Sequence, residues 1–309
     1  MVCNHQDYKE IYRFDTVPLY RCDQCGITFT DKHQQDFDSK IIYEEYYKNE
    51  MAGRFSFGIE YIIRLFRFFR AFKIFTAFPH AKSILDIGSG RGFMLYYLRK
   101  YYKYQRTVGT QISKNALEFS RDKLRLEIYD KDLLELSFKN SSFDIVTMWH
   151  VLEHVAEPEK YIEKISVLLK DRGRLIIEVP NFNSWTRHLT GKYWLGLDLD
   201  YHITFFTSKS LSRLLEKYNF KIKNIHTFSL EYSIFISIQS FVSFLTRSNH
   251  IFFQCIQTAD FSRRFIFHAF IFILLAPVCF LVNILLYFSK RGEVLLIIAE
   301  KSKNNRREN

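Results

Sequence analysis

"SILDIGSGRG", residues 83–92, is a short apolar run that reaches Asp86 and then breaks into glycines at positions 88, 90 and 92. A strand, a glycine turn and a helix in this order bring backbone N–H groups and a helix N-terminus to the carboxyl edge of a parallel sheet. Since glycine lets a ligand approach the backbone closely, the stretch predicts a binding turn.

The spacing of these glycines narrows the choice of ligand. A dinucleotide turn reads G-x-G-x-x-G, whereas Phe93 stands in its third glycine position, and the G-K-[ST] of a phosphate-binding loop is absent. Asp86 would repel a phosphate and attract an ammonium group. The turn therefore favours S-adenosylmethionine, a cofactor with an amino acid moiety, a sulfonium and no phosphate.

Beyond the turn, short β-like runs alternate with helical runs across residues 80–230. This alternation is typical of a parallel α/β sheet with helices on both faces. We therefore predict a Rossmann-like, seven-stranded, mostly parallel sheet, with the final run "EVLLIIAEK" as its last strand.

Polar residues after successive strands suggest where each part of the cofactor binds. Gln111 follows the second strand, where a ribose clamp is expected, and Asp132 and Leu133 follow the third, beside the adenine. The predicted cofactor-binding set is Asp86, Gly88, Ser89, Gly90, Gly92, Gln111, Ile112, Asp132, Leu133 and Trp149.

Five motifs in order carry a family resemblance: "LDIGSGRG", "FDIVTMWHVLEHV", "EKISVLLKDRGRLIIEVPNF", "GKYWLGLDLDYHITFFTSKSLSRLLEKYNF" and "RGEVLLIIAEK". The chain resembles class I S-adenosylmethionine-dependent methyltransferases, in the type 23 branch with an N-terminal zinc-knuckle-like segment. The resemblance implies an enzyme that O-methylates a sugar or lipid-linked glycan precursor in surface polysaccharide or glycolipid assembly. Gln111 departs from the family's acidic residue, so the alternative is a non-catalytic cofactor- or lipid-binding scaffold.

Three histidines are candidates for removing a proton from a hydroxyl acceptor: His150, His154 and His202. His202 matches a histidine of the family, and for each of the three a purely structural role is the alternative. The region after the fourth strand reads "WHVL", without the Asp/Asn-Pro-Pro-aromatic turn or the cysteine that base methylation uses. Nucleic acid is therefore an unexpected acceptor.

Composition points to an anionic partner and a reducing compartment. The chain has 309 residues and a formal net charge of +11, which suits either nucleic acid or an anionic lipid surface, although a solvated basic face would give the same count. Its five cysteines are odd in number, and Cys255 and Cys279 lie in apolar runs. We expect a cytoplasmic protein without a disulfide framework.

A zinc site is predicted near the N-terminus. Cys22 and Cys25 form a C-x-x-C pair, and Cys3 with His5 offers an imperfect second half. These four residues would give a tetrahedral Cys₃His set, with His33 as an alternative fourth ligand. The other interpretation is a relict turn with free thiols.

Residues 265–288 contain no Lys, Arg, Asp or Glu and are long enough to cross a bilayer. A crossing would leave the last strand on the wrong side, so we expect an apolar helical insertion lying at the inner face of the membrane. A helix over 59–75, carrying Arg64, Arg67, Arg70 and Lys73, is expected as a second interfacial element. Packing on the core or on a second subunit is the alternative for both, and the oligomeric state stays open.

These expectations divide the chain into five parts. They are a zinc-knuckle-like segment (1–40), a basic aromatic helical lead-in (41–79), a cofactor-binding domain (80–231), the apolar helical insertion (232–290), and the last strand with a polar tail (291–309).

Overall fold

A twisted seven-stranded sheet forms the centre of the protein, with strand order β10-β11-β8-β7-β4-β5-β6. The computed structural model describes residues 7–14, 16–30, 57–248, 250–258 and 262–303. The strands of the main sheet are β4 (Ser83–Ile87), β5 (Arg106–Thr110), β6 (Glu127–Tyr129), β7 (Phe143–Trp149), β8 (Leu169–Pro180), β10 (Phe220–His226) and β11 (Val294–Lys301).

Strands β4 to β8 run parallel to one another, whereas β11 is antiparallel to both of its neighbours, β10 and β8. The core strands are apolar on both faces, and β4 is buried at every position, as expected for a sheet covered on both sides. The predicted Rossmann-like, mostly parallel α/β fold is confirmed, and "EVLLIIAEK" lies inside the sheet.

Helices cover the two faces of this sheet and form two hydrophobic clusters against it. The helices are α1 (Phe57–Ala77), α2 (Phe93–Tyr102), α3 (Lys114–Glu118), α4 (Pro158–Leu168), α5 (Trp185–Thr190), α6 (Ser208–Lys217), α7 (Ser233–Thr246), α8 (Ile251–Thr258) and α9 (Arg263–Phe288).

A small antiparallel sheet near the N-terminus consists of β1 (Tyr8–Phe14), β2 (Val17–Cys22), β3 (Thr28–Phe29) and β9 (Thr204–Phe205). Because β3 pairs with β9, the segment that follows β8 is joined to the N-terminal hairpin. This pairing helps to hold residues 196–206 against the carboxyl edge of the main sheet.

Helix α1 places its arginines differently from the sequence expectation. Arg70 is buried, with its guanidinium 2.7 Å from Glu231, and Arg67 also pairs with Glu231. These two arginines therefore do not form the lipid-facing basic surface that was expected, because their charges are neutralised inside the protein. Arg64 pairs with Glu60 at the surface, and Lys73 is exposed.

The apolar insertion between β10 and β11 contains α7, α8 and α9. Among the described residues, one helical segment is long and apolar enough to cross a membrane, the 24 residues Phe265–Phe288 of α9. One face of α9 packs on α7, where Asn283 donates to Ser237 Oγ at 2.8 Å and Cys279 contacts Ile238 and Val242. Helix α9 ends at Phe288 and β11 begins at Val294, so the chain returns to the sheet within a few residues.

A buried carboxylate, Glu293, ties the insertion to the main domain. It accepts hydrogen bonds from Thr186, from Trp194 Nε1 at 2.9 Å and from Ser237 Oγ at 3.0 Å. Burial raises the pKa of Glu293, while these donors oppose that shift. Three segments distant in sequence thus share one acceptor beside the last strand.

Replacing Glu293 with alanine should leave three buried donors without their acceptor. An unsatisfied buried polar group costs about 1–3 kcal/mol, so the free energy of unfolding should fall by roughly 3 kcal/mol or more in urea titration. Glu118→Ala, at an exposed helix position, is the matched control and should change stability by less than about 0.5 kcal/mol. Equal losses in the two variants would contradict the anchoring role.

Candidate cofactor and acceptor site

The glycine turn lies between β4 and α2 at the carboxyl edge of the sheet. Gly88, Gly90 and Gly92 all have positive φ, of 71°, 55° and 77°. Gly88 N–H donates to Thr110 Oγ1 at 3.2 Å and Ser89 N–H donates to Thr110 O at 2.8 Å, so the turn is fixed to the end of β5. The left-handed backbone explains why this sequence needs glycine.

The three glycines have different surroundings. A Cβ on Gly88 would lie 2.4 Å from Val151 Cγ2, and one on Gly92 would lie 2.5 Å from Leu126 Cδ1. A Cβ on Gly90 would meet no atom within 4 Å. Gly88 and Gly92 are therefore needed for close packing as well as for φ, whereas Gly90 borders open space.

A cavity of about 280 Å³ opens at this edge, where the ends of β4, β5 and β7 meet. Of the predicted cofactor-binding residues, Gly88, Gln111, Ile112, Asp132, Leu133 and Trp149 line it. Ser89, Gly90 and Gly92 do not line the cavity but belong to the turn beside it, and Asp86 lies in β4 beneath that turn.

Gln111 is almost fully buried, and its side chain is only half satisfied. Its Oε1 accepts from Ser113 N at 3.0 Å, whereas its Nε2 has no hydrogen-bond partner in the described part of the chain. Trp149, which also lines the cavity, has a buried Nε1 that likewise lacks a hydrogen-bond partner among the described residues. Two buried N–H donors on cavity-lining side chains indicate a ligand that brings acceptors.

Asp132 presents a carboxylate that is held in place by its neighbours. One oxygen accepts from Leu134 N at 2.8 Å, and the other accepts from the Tyr161 hydroxyl. Each carboxylate oxygen has a second acceptor site, so Asp132 can still accept from an amino group of a ligand. Tyr161 was not identified from the sequence because it lies on α4, outside the strand ends.

Asp86 lies beneath the turn, and Thr147 Oγ1 donates to it at 2.6 Å. Burial raises the pKa of this carboxyl to about 6, although the Thr147 hydrogen bond and the charge of Arg70 act in the opposite direction. The carboxylate is thus largely ionised at neutral pH, as the sequence argument for attracting a cationic ligand group requires.

His150 lines the cavity but has both ring nitrogens facing carboxylates. Nδ1 lies 3.2 Å from Glu153 Oε1, and Nε2 lies 3.3 Å from Glu178 Oε1. Burial opposes protonation, yet the two carboxylates raise the pKa of His150 well above its ordinary value. An imidazolium carries a hydrogen on both ring nitrogens, so His150 has no lone pair to accept a proton.

His154 also lines the cavity but, unlike His150, is neutral at pH 7. Its Nδ1 lies 3.0 Å from Tyr201 O, so Nδ1 donates and Nε2 carries the lone pair. Burial, assisted by the nearby His202, lowers the pKa of His154 to about 4, which keeps the ring neutral at pH 7. His202 lies behind it, outside the cavity lining, with ring centroids 4.7 Å apart.

Comparisons with known proteins agree with this geometry. The sequence matches the family described as "Methyltransferase domain" over residues 59–225, more than half of the chain. The chain belongs to this methyltransferase family.

Individual relatives match parts of this methyltransferase chain. An uncharacterised protein of Methanocaldococcus jannaschii is 36% identical over 107 residues, covering 35% of this chain and 45% of that protein. A ubiquinone biosynthesis O-methyltransferase of Coxiella burnetii is 27% identical over 107 residues, covering 33% and 45%. The chain thus spans about half the length of the curated relatives it matches.

A solved structure from Galdieria sulphuraria, described provisionally as a sarcosine dimethylglycine methyltransferase, is similar in fold. The match has a TM-score of 0.50 and 14% identity and covers 86% of this chain and 99% of that chain. At this identity the similarity supports the fold alone.

The methyltransferase cavity suits S-adenosylmethionine in its donor and acceptor groups. Gln111 Nε2 offers a free donor for a ribose hydroxyl, Asp132 offers an acceptor for the adenine amino group, and Ile112 and Leu133 offer apolar walls for the ring. Gly90 leaves room for a ligand beside the turn.

The predicted zinc site is described only in part. Cys22 ends β2, and the N–H of Cys25 points at its sulfur, with a distance of 3.5 Å between N and Sγ. Gly26 has φ of 75°, which closes the turn. This geometry suits a metal-binding knuckle, whereas Cys3, His5 and His33 lie outside the described residues. Zinc at Cys3, His5, Cys22 and Cys25 stays a prediction.

Gly90→Asn tests whether the open space beside the turn belongs to the cofactor. Asparagine tolerates a positive φ, so the fold should persist while its side chain fills the space. We expect S-adenosylmethionine affinity to fall at least tenfold in calorimetry. Gly191→Asn is the control, since Gly191 also has positive φ and open surroundings but lies away from the cavity. Unchanged affinity in Gly90→Asn would show that the cofactor does not use this turn.

Proposed function

We propose that the protein transfers a methyl group from S-adenosylmethionine to a hydroxyl of an acceptor held at a membrane surface. The observation that carries this proposal is the cavity at the sheet edge, which joins the unpaired donor of Gln111 to the imidazole of His154. The sequence resemblance supports a lipid-linked glycan precursor as the acceptor. The matched Coxiella burnetii relative is named as an O-methyltransferase, which supports oxygen as the methylated atom.

When bound, S-adenosylmethionine supplies a methyl group on a sulfonium, and its C–S electrons stay on sulfur as the product forms. The chain must position the hydroxyl and keep the reacting atoms in line. His154 can orient the acceptor because its Nε2 lone pair accepts a hydrogen bond while the Tyr201 carbonyl fixes the ring. A pKa near 4 makes His154 a weak base, so its main task is orientation. The proton that the hydroxyl loses as the O–CH₃ bond forms passes to solvent at the open side of the cavity.

The other two histidines have supporting tasks in this proposal. His150 is fixed at the cavity wall, because its two ring nitrogens face the carboxylates of Glu153 and Glu178. Since these carboxylates neutralise its charge, its task is to shape the wall. His202 positions His154 from behind, at ring-contact distance.

The membrane part of the proposal is supported by the outer face of α9. Its exposed residues fall at helical spacing along the whole helix: Ile266, Phe267, Phe270, Ile273, Leu274, Val278, Leu281, Leu285 and Phe288. Each is about 60% or more exposed, an arrangement that soluble surfaces rarely show. Arg263 at one end and Lys290 and Arg291 at the other are exposed and can meet anionic headgroups.

We propose that α9 lies in the membrane interface at the cytoplasmic face and does not span the membrane. One side of the helix packs on α7, which at Ser233–Thr246 is too short to cross a bilayer beside it. The rapid return to β11 also keeps the C-terminal end of α9 beside the sheet. An acceptor anchored in the same membrane would then reach the cavity without leaving the bilayer surface.

The activity is tested by incubating the purified protein with S-adenosylmethionine labelled on its methyl group and with membrane lipid extracts. We expect label in the lipid phase and an equal amount of S-adenosylhomocysteine, with the label released as a methylated sugar by mild acid. Label that remains in the lipid phase after mild acid would show that the methylated acceptor is a lipid without an acid-labile sugar. Cofactor binding without any S-adenosylhomocysteine would overturn the enzymatic proposal and favour the scaffold alternative.

Membrane attachment is tested by flotation with vesicles containing phosphatidylglycerol. The double variant Ile273→Glu/Leu281→Glu places two charges on the outer face of α9 and should lose at least 90% of the floated protein. Val167→Glu/Leu189→Glu, at exposed apolar positions on α4 and α5, is the matched control and should float like the unchanged protein. Flotation of the α9 variant, or concentration-dependent dimerisation that it abolishes, would contradict a lipid-facing helix.

A further inference from the structure

Three side chains with metal-ligand chemistry converge beside the cavity. One ligand atom from each of Glu153, His154 and His202 lies within 4.8 Å of the corresponding atoms of the other two. A backbone hydrogen bond from Ile203 N–H to Glu153 O, at 2.9 Å, holds the segment that contains His202 against the segment that contains Glu153 and His154. A well-packed part of the fold therefore brings together residues that are 48 positions apart.

Both histidines are arranged as metal-binding histidines usually are. The Nδ1 of His154 lies 3.0 Å from Tyr201 O, and the Nδ1 of His202 lies 3.1 Å from Gly196 O. Because a carbonyl oxygen only accepts, Nδ1 carries the hydrogen in each ring and Nε2 keeps the lone pair. Metal-ligating histidines typically donate their other ring N–H to a carbonyl or carboxylate in this way.

Glu153 gives an independent sign that a partner is missing. Its side chain is about 2% exposed, and neither carboxylate oxygen has a hydrogen-bond partner within the described residues, although His150 Nδ1 lies 3.2 Å from Oε1. A buried, ionised oxygen without a donor is costly, and a metal ion at this point would remove that cost.

We propose that Glu153, His154 and His202 bind a divalent first-row metal ion. Its open coordination position would lie on the side of the cavity, which His154 lines. Two imidazoles and one carboxylate form a set that suits such ions and leaves positions for further ligands. Ligands about 2.1 Å from a tetrahedral ion lie roughly 3.4 Å from one another, so binding would draw the three side chains together.

This inference rests on the proposed methyl transfer to a hydroxyl. It adds a group that promotes loss of the hydroxyl proton, which the weakly basic His154 does poorly. A bound ion would take the place of the hydrogen bond from the acceptor hydroxyl to His154. It would lower the pKa of that hydroxyl, whose proton would pass to solvent at the open side of the cavity. The site is distinct from the predicted zinc knuckle at Cys22 and Cys25.

Mn²⁺ is a suitable probe because it prefers oxygen and nitrogen ligands to the thiolates of the knuckle. Titration of the full chain, with unbound Mn²⁺ measured by electron paramagnetic resonance and without cofactor or acceptor, should show one bound ion per chain. Bound Mn²⁺ should also raise the thermal unfolding midpoint, by mass action on the native state.

Glu153→Gln and His202→Asn should each weaken Mn²⁺ binding at least tenfold, while His188→Asn, a histidine outside the cluster, should leave it unchanged. Glu153→Gln preserves the shape of the side chain, and circular dichroism confirms that each variant is folded. Absence of bound Mn²⁺, or equal binding by all three variants, would overturn the proposal. Because this readout needs no turnover, it separates failure of the metal site from failure of the methyltransferase proposal.

Discussion

A buried carboxylate at the end of β8, that of Glu178, connects the elements that enclose the site. It lies 3.3 Å from His150 Nε2 and 3.8 Å from the Arg70 guanidinium, which in turn lies 2.7 Å from Glu231. Charges can be buried at this depth only when they are paired, and removing one partner leaves the other unpaired. Helix α1, the end of β7, β8 and the start of the insertion are therefore held in one arrangement.

This ionic network also divides the roles of the cavity histidines. Since Glu153 and Glu178 keep His150 charged, His150 has no lone pair for an acceptor, and the proposal assigns the orientation of the acceptor to His154. Arg70 lies 3.9 Å from the centre of the Trp149 ring, so the same network fixes one wall of the cavity. The charge of His150, the position of Trp149 and the proposed metal site thus all depend on the same buried ionic groups.

The parts of the structure that were predictable from the sequence depend on local order along the chain. The glycine turn has its characteristic spacing, and each strand ends where an apolar run ends. Gln111, Asp132 and Trp149 were therefore expected at strand ends, and in the structure they line the cavity; their binding of the cofactor stays a prediction. The last strand was also predictable, because its apolar run follows the insertion directly. The order and spacing of the five family motifs supported the same arrangement of strands along the chain.

The remaining features depend on contacts between distant residues, which local patterns do not specify. From the sequence, Arg67 and Arg70 were predicted to form a basic outer face. Their partner, Glu231, lies more than 160 positions away, so no local pattern indicates the pairing. Glu178 sits in an apolar strand run, and nothing in that run indicates the histidine and arginine opposite it. The convergence of Glu153 with His202 likewise depends on how the segment after β8 folds back.

The most direct measurement of the central claim is a crystal structure of the chain with S-adenosylhomocysteine. We predict the ribose within hydrogen-bond distance of Gln111 Nε2, the adenine amino group at Asp132, and the sulfur between the glycine turn and His154. A ligand bound elsewhere, with Gln111 Nε2 still unpaired and the cavity empty, would contradict the assignment of this cavity as the cofactor site.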